Sequence, residues 1–383
     1  MFVSNNLDIN EKGNLTIGGI DTTELAAEYG TPLYVMDEAV IRESCQRFKN
    51  SIDKYYGGQG RVCYASKAFS CMEMCRVIAD EGLGLEVVSA GEMYTAMKAG
   101  FPMEKIGFQG NNKTDEELEL ALEFGVGNIV VDNISELDRL EKLAAEKGKR
   151  PHIMFRIKPG IDAHTHAFIK TGQIDSKFGF ALETGEAFDA VKRALSCKNV
   201  ELAGLHCHIG SQILEPEPFA EAARVMLQFM DALRTECGLT FSELNLGGGP
   251  GIKYVESDDP KPFGDIIRAI LNAVRETCRQ LSYPEPFILF EPGRSIVGDA
   301  GITLYEVMAK KHIPNVRDYV LVDGGMCDNP RYALYHAEYE VICANHADQP
   351  KTETVTIGGK CCESGDLIGE NMPLQHTEPG DTL

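Results

Sequence analysis

The sequence predicts a parallel (β/α)8 barrel of the TIM type joined to a second, mostly β domain. Three observations carry this. Eight short apolar runs rich in Val, Ile, Leu and Phe alternate with amphipathic helical stretches. The eight units fit within about 240 residues, close to the usual barrel size. After Gly301 the rhythm changes to strand-like segments divided by turn signals, with no helices between them. A doubly wound sheet is the structural alternative.

In chain order the apolar runs are Arg61–Ala65, Leu83–Val88, Lys105–Gln109, Asn128–Asp132, His152–Ile157, Glu201–His208, Glu243–Leu246 and Phe287–Phe290. They read as strands buried on both faces, which is what a parallel sheet covered by helices requires. Helical segments lie between them at Ser70–Glu81, Ala90–Ala99, Thr114–Phe124, Ile134–Lys147, Thr184–Leu195, Pro218–Glu236 and Pro262–Gln280. In the third, Leu118, Ala121 and Leu122 recur at helical spacing, and Thr114 with Glu117 forms a capping-box pattern. Beyond Gly301, Ile302–Val307, Tyr319–Val322, Tyr339–Ala344 and Thr352–Ile357 read as strands, with Asn14–Ile17 and Pro32–Val35 as candidates to join them. Residues 36–300 are expected to form the barrel, and residues 1–35 and 301–383 the β domain.

The 383 residues carry a formal charge of −21, with 43% hydrophobic and 25% charged residues, ordinary values for a globular chain. Such acidity argues against nucleic acid or an anionic membrane as partner, while leaving room for a local basic pocket. The twelve cysteines are scattered without paired CxxC spacing, so a structural zinc site is poorly supported and free thiols in a reducing cytoplasm are expected. No secretory signal and no membrane-length apolar stretch is visible.

The informative polar residues stand where strand runs end, and in a barrel those ends share the face that holds active sites. Lys67 follows Tyr64-Ala65-Ser66. It reads either as an exposed strand-end lysine or as a desolvated amine suited to Schiff-base chemistry. His206 and His208, two residues apart, read as core histidines, as metal ligands, or as a ring stacked on a flat cofactor. His164 and His166 form a second such pair, so a metal-dependent barrel hydrolase is a rival reading, although no carboxylate ligand with suitable spacing accompanies them. Gly247-Gly248-Gly249 follows Leu246 and reads as a sharp turn or as a phosphate cradle. Glu291-Pro292-Gly293-Arg294 ends the eighth run with a carboxylate and a guanidinium, which are costly to bury unless paired or facing a ligand. Taken together these groups suit one ligand with an aldehyde, a flat ring, a phosphate and a protonatable ring nitrogen. Pyridoxal 5′-phosphate has all four. In the β domain, Arg331 and Tyr335 stand one helical turn apart, and Cys361-Cys362-Glu363 reads as a strand end with a thiol beside a carboxylate.

The segments Tyr64–Ala68, Leu205–Gln212, Gly247–Gly249, Glu291–Arg294 and Cys362–Asp366 resemble the motif series of the fold-type III pyridoxal-phosphate decarboxylases. Gln109–Lys113, Asp162–His166 with Ser176–Gly179, and Asp328–Arg331 match as well, in the same order from about Gly30 to Leu383. The pattern is most similar to the bacterial branch that decarboxylates diaminopimelate. The resemblance implies an alanine-racemase-like barrel with a β domain, a homodimer with active sites at the subunit interface, and conversion of meso-2,6-diaminopimelate to L-lysine. It implies that Lys67 anchors the cofactor, that His208 stacks on its ring, and that Glu291 meets its ring nitrogen. Ser211, Gly247, Gly248, Gly249 and the Pro292-Gly293-Arg294 turn would surround the phosphate. Arg294, Arg331 and Tyr335 would hold the distal carboxylate of the substrate and Glu363 its distal ammonium. Cys362, from the partner subunit, would donate the proton after CO2 leaves. No metal is implied.

Three residues depart from the family pattern: Phe69 where Asn is common, Glu86 where Asp is usual, and Gln109 where His is common. The family also continues past Pro379-Gly380-Asp381, so the chain is expected to lack the family's C-terminal segment. Ornithine, arginine, a D-amino acid or a carrier-linked glutamyl group are the alternative substrates, and a cofactor-carrying protein without turnover is the non-catalytic alternative. The polar stretch Asp162–Phe178 has the length of a lid.

Overall fold

The computed structural model describes residues 2–161 and 175–383. The chain divides into two compact units. One comprises Ile41–Ile252 and Pro260–Val297, the other Met1–Val40, Lys253–Asp259 and Gly298–Leu383.

The first unit is a closed barrel. Its strands are β1 (Gly60–Ala65), β2 (Gly84–Val87), β3 (Ile106–Phe108), β4 (Asn128–Val131), β5 (His152–Lys158), β6 (Glu201–His206), β7 (Glu243–Asn245) and β8 (Phe287–Phe290). Each pairs in parallel with the next, and β8 returns to β1 through Ile288↔Gly60, Leu289↔Arg61 and Phe290↔Val62. A two-residue strand, Phe180–Ala181, adds to the edge of β5. Residues on both faces are buried, as in the unbroken Gly84–Val87 run, because helices cover the outside and side chains fill the inside. Leu85, Ile106, Phe108, Phe155, Leu205 and Ile288 are essentially inaccessible.

The helices fall within two residues of the expected ends, and local chemistry sets those ends. Thr114 caps Asp115–Phe124 with a complete capping box, its hydroxyl accepting from the Glu117 N–H while the Glu117 carboxylate accepts from the Thr114 N–H. Gly125 closes the same helix in the left-handed region. The 19-residue helix Glu38–Tyr56 is absent from the sequence expectation. Its buried Ile41, Cys45, Phe48 and Ile52 recur every three or four residues, a helical pattern that was available to be read.

The second unit holds a four-stranded mixed sheet ordered Val307–Ile313, Arg317–Val322, Glu353–Gly358, Leu367–Leu374. Its core is Val307, Val320, Val322, Val355, Ile357 and Leu374. A three-stranded meander (Leu7–Ile9, Leu15–Ile17, Ile20–Asp21) and the antiparallel pair Leu33–Met36 with Gly301–Leu304 complete it. Four expectations are corrected here. The segments after Gly301 are not free of helices, because the short helix Arg331–Tyr335 lies between Arg317–Val322 and Glu353–Gly358. Ile302–Val307 is not one strand: one ends at Leu304 and another begins at Val307. Tyr339–Ala344 is not a strand, because its polar groups go elsewhere. The Cys343 N–H donates to the Gln375 side chain, the Ala344 N–H to the Thr382 carbonyl, and the Tyr339 hydroxyl bonds Arg331 and Asn329. Cys361 and Cys362 lie in a turn beyond Gly358 rather than on a strand, since Asp366 caps that turn by accepting from the Cys361 N–H.

Among the described residues no helix is long and apolar enough to cross a membrane.

Candidate active site

Because all eight barrel strands are parallel, the residues that follow them emerge on one rim. Lys67 leaves β1 on a single 3-10 turn, Ser66–Ala68. That turn is tied down by Glu92, whose Oε2 accepts from the Ser66 hydroxyl at 2.6 Å and from the Val88 N–H at 2.8 Å. Lys67 is open to solvent on the mouth side while protein surrounds its amine on the others. This enclosure, followed by the charge of Arg156, lowers the Lys67 pKa from 10.5.

Glu291, at the end of β8, is the hub of the rim. Its Oε1 accepts from Gln109 Nε2 at 2.6 Å and from Asn245 Nδ2 at 2.6 Å, and its Oε2 lies 3.2 Å from His206 Nε2. Burial alone would push this carboxyl up. The His206 charge and the bonds from His206 and Asn245 overcome that and hold it well below the usual carboxylate range. Glu291 is therefore an ionised group kept in a buried place by three donors.

His208 stands just past β6. Its Nδ1 accepts from the Gly248 N–H at 3.3 Å, which assigns the ring proton to Nε2 in the neutral form. Burial, then the charges of Lys67 and Arg156, hold its pKa well below 6.5, in agreement with a neutral ring.

The glycine run is demanded by packing as well as by any ligand. A Cβ on Gly247 would meet the Cys207 carbonyl and the His208 ring, one on Gly248 would collide with the Glu291 carbonyl, and one on Gly249 would meet the Gly210 carbonyl. The run thus lets the ends of β6, β7 and β8 close together. Among the described residues the N–H groups of Gly249 and Gly293 donate to no protein acceptor. Arg294 Nε and Nη2 donate to Ser211 Oγ at 3.3 and 3.2 Å, joining two sequence-predicted residues.

Pyridoxal 5′-phosphate fits what is present: an accessible amine of lowered pKa, a neutral imidazole, undonated N–H groups and an ionised carboxylate, all on one rim. Lys67, His208, Ser211, Gly247, Gly248, Gly249, Glu291, Pro292, Gly293 and Arg294 lie together there in the barrel unit. Arg331, Tyr335, Cys362 and Glu363 lie in the other unit. Arg331 and Tyr335 bound the helix Arg331–Tyr335. Arg331 donates to the Tyr339 hydroxyl at 2.9 Å and stacks on the Tyr254 ring at 4.7 Å. Cys362 and Glu363 are exposed.

Sequence reading missed Asn245, His206 as partner of Glu291, and Arg156. Asn245 was detectable as a lone amide between Leu244 and Leu246; its Oδ1 also accepts from the Gly247 N–H at 2.9 Å. Arg156 is the lone cation in the apolar stretch Ile153–Ile157 of β5, stacked 4.2 Å from the Phe178 ring centre. His164 and His166, and all but the last residues of the expected Asp162–Phe178 lid, lie outside the described residues. Among the described residues no group of three or more His, Cys, Asp and Glu side chains converges as a metal-ligand set. A separate cavity of about 90 Å3 opens at the N-terminal end of the strands, beside Arg61, Lys105, His152 and Glu243.

Comparison with known proteins gives this rim its context. The profile described as "Pyridoxal-dependent decarboxylase, pyridoxal binding domain" matches residues 38–298. A diaminopimelate decarboxylase of Bacillus methanolicus is 50% identical over 383 residues, covering 100% of this chain and 88% of that relative. One from Bacillus subtilis (strain 168) is 48% identical, covering 100% and 87%. The solved structure of a diaminopimelate decarboxylase from M. jannaschii in complex with L-lysine is 37% identical with a TM-score of 0.90, covering 100% of this chain and 87% of that one. With likeness of this extent along the whole chain, the protein belongs to the diaminopimelate decarboxylases of the pyridoxal-dependent decarboxylase family.

Proposed function

We propose that this chain is a carboxy-lyase that converts meso-2,6-diaminopimelate to L-lysine and CO2 with pyridoxal 5′-phosphate, as a cytoplasmic homodimer. The observation that carries the chemistry is Glu291. An ionised carboxylate held by His206, Asn245 and Gln109 on the rim of Lys67 is suited to keep a proton on a pyridine nitrogen. The observation that carries the substrate is the full-length likeness to diaminopimelate decarboxylases, one of them solved with L-lysine.

The residue roles are those the family resemblance implies, and the chemistry of each group suits them. Lys67, with its lowered pKa, binds the cofactor aldehyde. His208, its Nδ1 already tied to Gly248, offers a neutral ring face for stacking. Ser211, Gly247, Gly248, Gly249 and the Pro292-Gly293-Arg294 turn hold the phosphate. When bound, the cofactor supplies an electron sink for the bond to the departing carboxylate. Arg294, Arg331 and Tyr335 orient the distal carboxylate and Glu363 the distal ammonium, and the two together select a substrate with both groups at its far end. Cys362 of the partner subunit delivers the proton to the carbon that has lost CO2. The net charge of −21 suits neither a nucleic acid nor an anionic membrane surface as partner.

A substrate panel tests the proposal. The reconstituted protein should release CO2 and lysine from meso-diaminopimelate, with little turnover of ornithine, arginine or lysine, and Lys67→Ala should abolish both turnover and the cofactor's bound absorbance band. Faster turnover of ornithine would move the assignment to another substrate. Stoichiometric zinc in place of the cofactor would favour a hydrolase.

A further inference from the structure

The thiols of Cys327 and Cys361 face each other with their sulfurs 3.4 Å apart, although 34 residues separate them in sequence. Cys327 is exposed and Cys361 half-buried. Among the described residues no other pair of the twelve cysteines is in such contact, and all twelve are free thiols.

The contact is built by the backbone on both sides. The strands Arg317–Val322 and Glu353–Gly358 pair in parallel through Tyr319↔Thr356, Val320↔Ile357 and Leu321↔Gly358, so their outgoing turns leave side by side. The buried Asp366 clamps the two turns. Its Oδ1 accepts from the Met326 N–H at 2.6 Å and its Oδ2 from the Cys361 N–H at 2.7 Å. The Lys360 N–H donates to the Gly324 carbonyl at 2.9 Å. Gly325 and Gly359 make room for the clamp, since a Cβ on either would collide with the Asp366 carboxylate. The first turn is closed by the Asn329 N–H on the Gly325 carbonyl at 2.8 Å, which presents Cys327 outward. Residues adjacent to, or at, each thiol are thus hydrogen-bonded to one shared carboxylate.

We propose that Cys327 and Cys361 form a reversible intrachain disulfide, with a low-molecular-weight disulfide as oxidant. Cys327, the more exposed, loses its proton and attacks one sulfur of the oxidant. The oxidant's S–S bond breaks, one small thiolate leaves and takes up that proton, and a mixed disulfide remains on Cys327. Cys361 then gives up its proton and attacks the Cys327 sulfur, and the second small thiol leaves with it. Two protein thiols are oxidised by two electrons, and one small disulfide is reduced to two thiols. Contact with Cys327, followed by burial and Asp366, keeps the Cys361 thiol protonated, in agreement with the order given. Closing the bond asks the sulfurs to approach by roughly 1.4 Å, since a disulfide spans about 2.05 Å.

The bond would tie the turn leading into Arg331 and Tyr335 to the turn bearing Cys362 and Glu363. On the active-site reading given above, which this consequence rests on, the linked form turns over more slowly because Cys362 and Arg331 can no longer adjust independently.

The test is incubation of the reduced holoenzyme with oxidised glutathione, followed by intact mass measurement and a non-reducing peptide map. A chain lighter by two hydrogens, with Cys327 and Cys361 peptides joined and both released by dithiothreitol, is the expected result. Cys327→Ser should remove the link and leave reduced turnover unchanged. A stable glutathione adduct on Cys327 without the internal link would overturn the proposal, as would both thiols remaining alkylatable. Turnover of the linked form should fall and recover with dithiothreitol in the parent but not respond in Cys327→Ser; unchanged turnover in a fully linked chain would overturn the coupling to the site. Link formation is scored by mass alone, and failure of the reduced holoenzyme to make lysine would count against the substrate assignment instead.

Discussion

Glu86 stands beside Gly107 in the parallel register of β2 and β3, and its carboxyl group fills the volume that a side chain on Gly107 would need. The pairing makes Gly107 a matter of space rather than of backbone conformation. It also brings a second carboxyl into the rim's interior. Neither Glu86 oxygen has a hydrogen-bond partner among the described residues, nor has Gln109 Oε1, while Gln109 Nε2 serves Glu291. Burial first, and the charge of Glu291 second, push the Glu86 carboxyl well above the ordinary range. Of the two carboxyls, Glu291 is the ionised one and Glu86 the protonated one.

Glu86→Gln, which copies the protonated acid, should therefore be tolerated, and its advantage should depend on pH. Unfolded, Glu86 releases its proton near the ordinary carboxyl range; folded, it keeps the proton to higher pH. Raising the pH through that window favours the unfolded parent but not the variant. Thermal denaturation should show the variant gaining on the parent as pH rises above about 4.5 and converging with it below. The opposite trend would mean an ionised Glu86. Gly107→Ala should cost about 1–3 kcal/mol by overpacking against the same carboxyl.

Lys113 and Glu136 form a fully buried ion pair, with Nζ 2.8 Å from Oε1. Lys113 also donates to the carbonyls of Gly110 and Val130 at 2.7 Å each, and Glu136 accepts from the Asp132 N–H. The pair pins the turn after β3 to the end of β4. Removing one partner strands a buried charge, so Lys113→Met should cost about 3–5 kcal/mol in urea unfolding. Lys113→Met with Glu136→Leu should recover part of that loss. Equal damage in the single and double variants would show that the carbonyl bonds, not the charge, carry the stability.

The barrel was legible because its strands are buried on both faces. Arg61–Ala65 and Phe287–Phe290 match β1 and β8 within one residue, and the Thr114–Glu117 box marks a helix start through a local bond. The β unit was less legible because long-range side-chain acceptors decide its backbone. Tyr339–Ala344 has a strand's composition, yet Gln375 and the Thr382 carbonyl take its N–H groups. On the rim, groups at strand ends could be read, since glycines, lysine and carboxylates stand out there. Asn245 and His206 also end their strands, but the sequence gives no sign that both turn to Glu291, and Arg156 is a single cation inside β5 whose effect on Lys67 is one of charge alone. Cys361 was expected to be a strand residue; only the fold of two turns around Asp366 brings it to Cys327.

Arg156 should set the reactivity of Lys67. Its positive charge is the second cause, after burial, of the lowered Lys67 pKa. Removing that charge eases protonation of the amine. In cofactor-free protein, the pH at which Lys67 reaches half-maximal reaction with an amine reagent should lie below the ordinary lysine value, and Arg156→Met should move it upward. An unmoved midpoint would assign the whole shift to burial.

Cys362 gives the sharpest test of the proposed dimer. Its thiol is exposed in the turn after Gly358, next to the exposed Glu363. A proton donor must deliver its proton to the carbon that has lost CO2. Cys362→Ala should slow or misdirect protonation while cofactor absorbance persists, whereas Lys67→Ala should lose the anchored cofactor. If each site draws Lys67 from one subunit and Cys362 from the other, a mixed dimer of the two inactive variants contains one site spoiled twice and one intact. Mixing should then restore up to about one competent site per heterodimer. Differently tagged chains, purified by both tags, make the measurement clean. Absence of recovered lysine production in a verified mixed dimer would mean that Lys67 and Cys362 serve the same subunit's site, or that another group donates the proton.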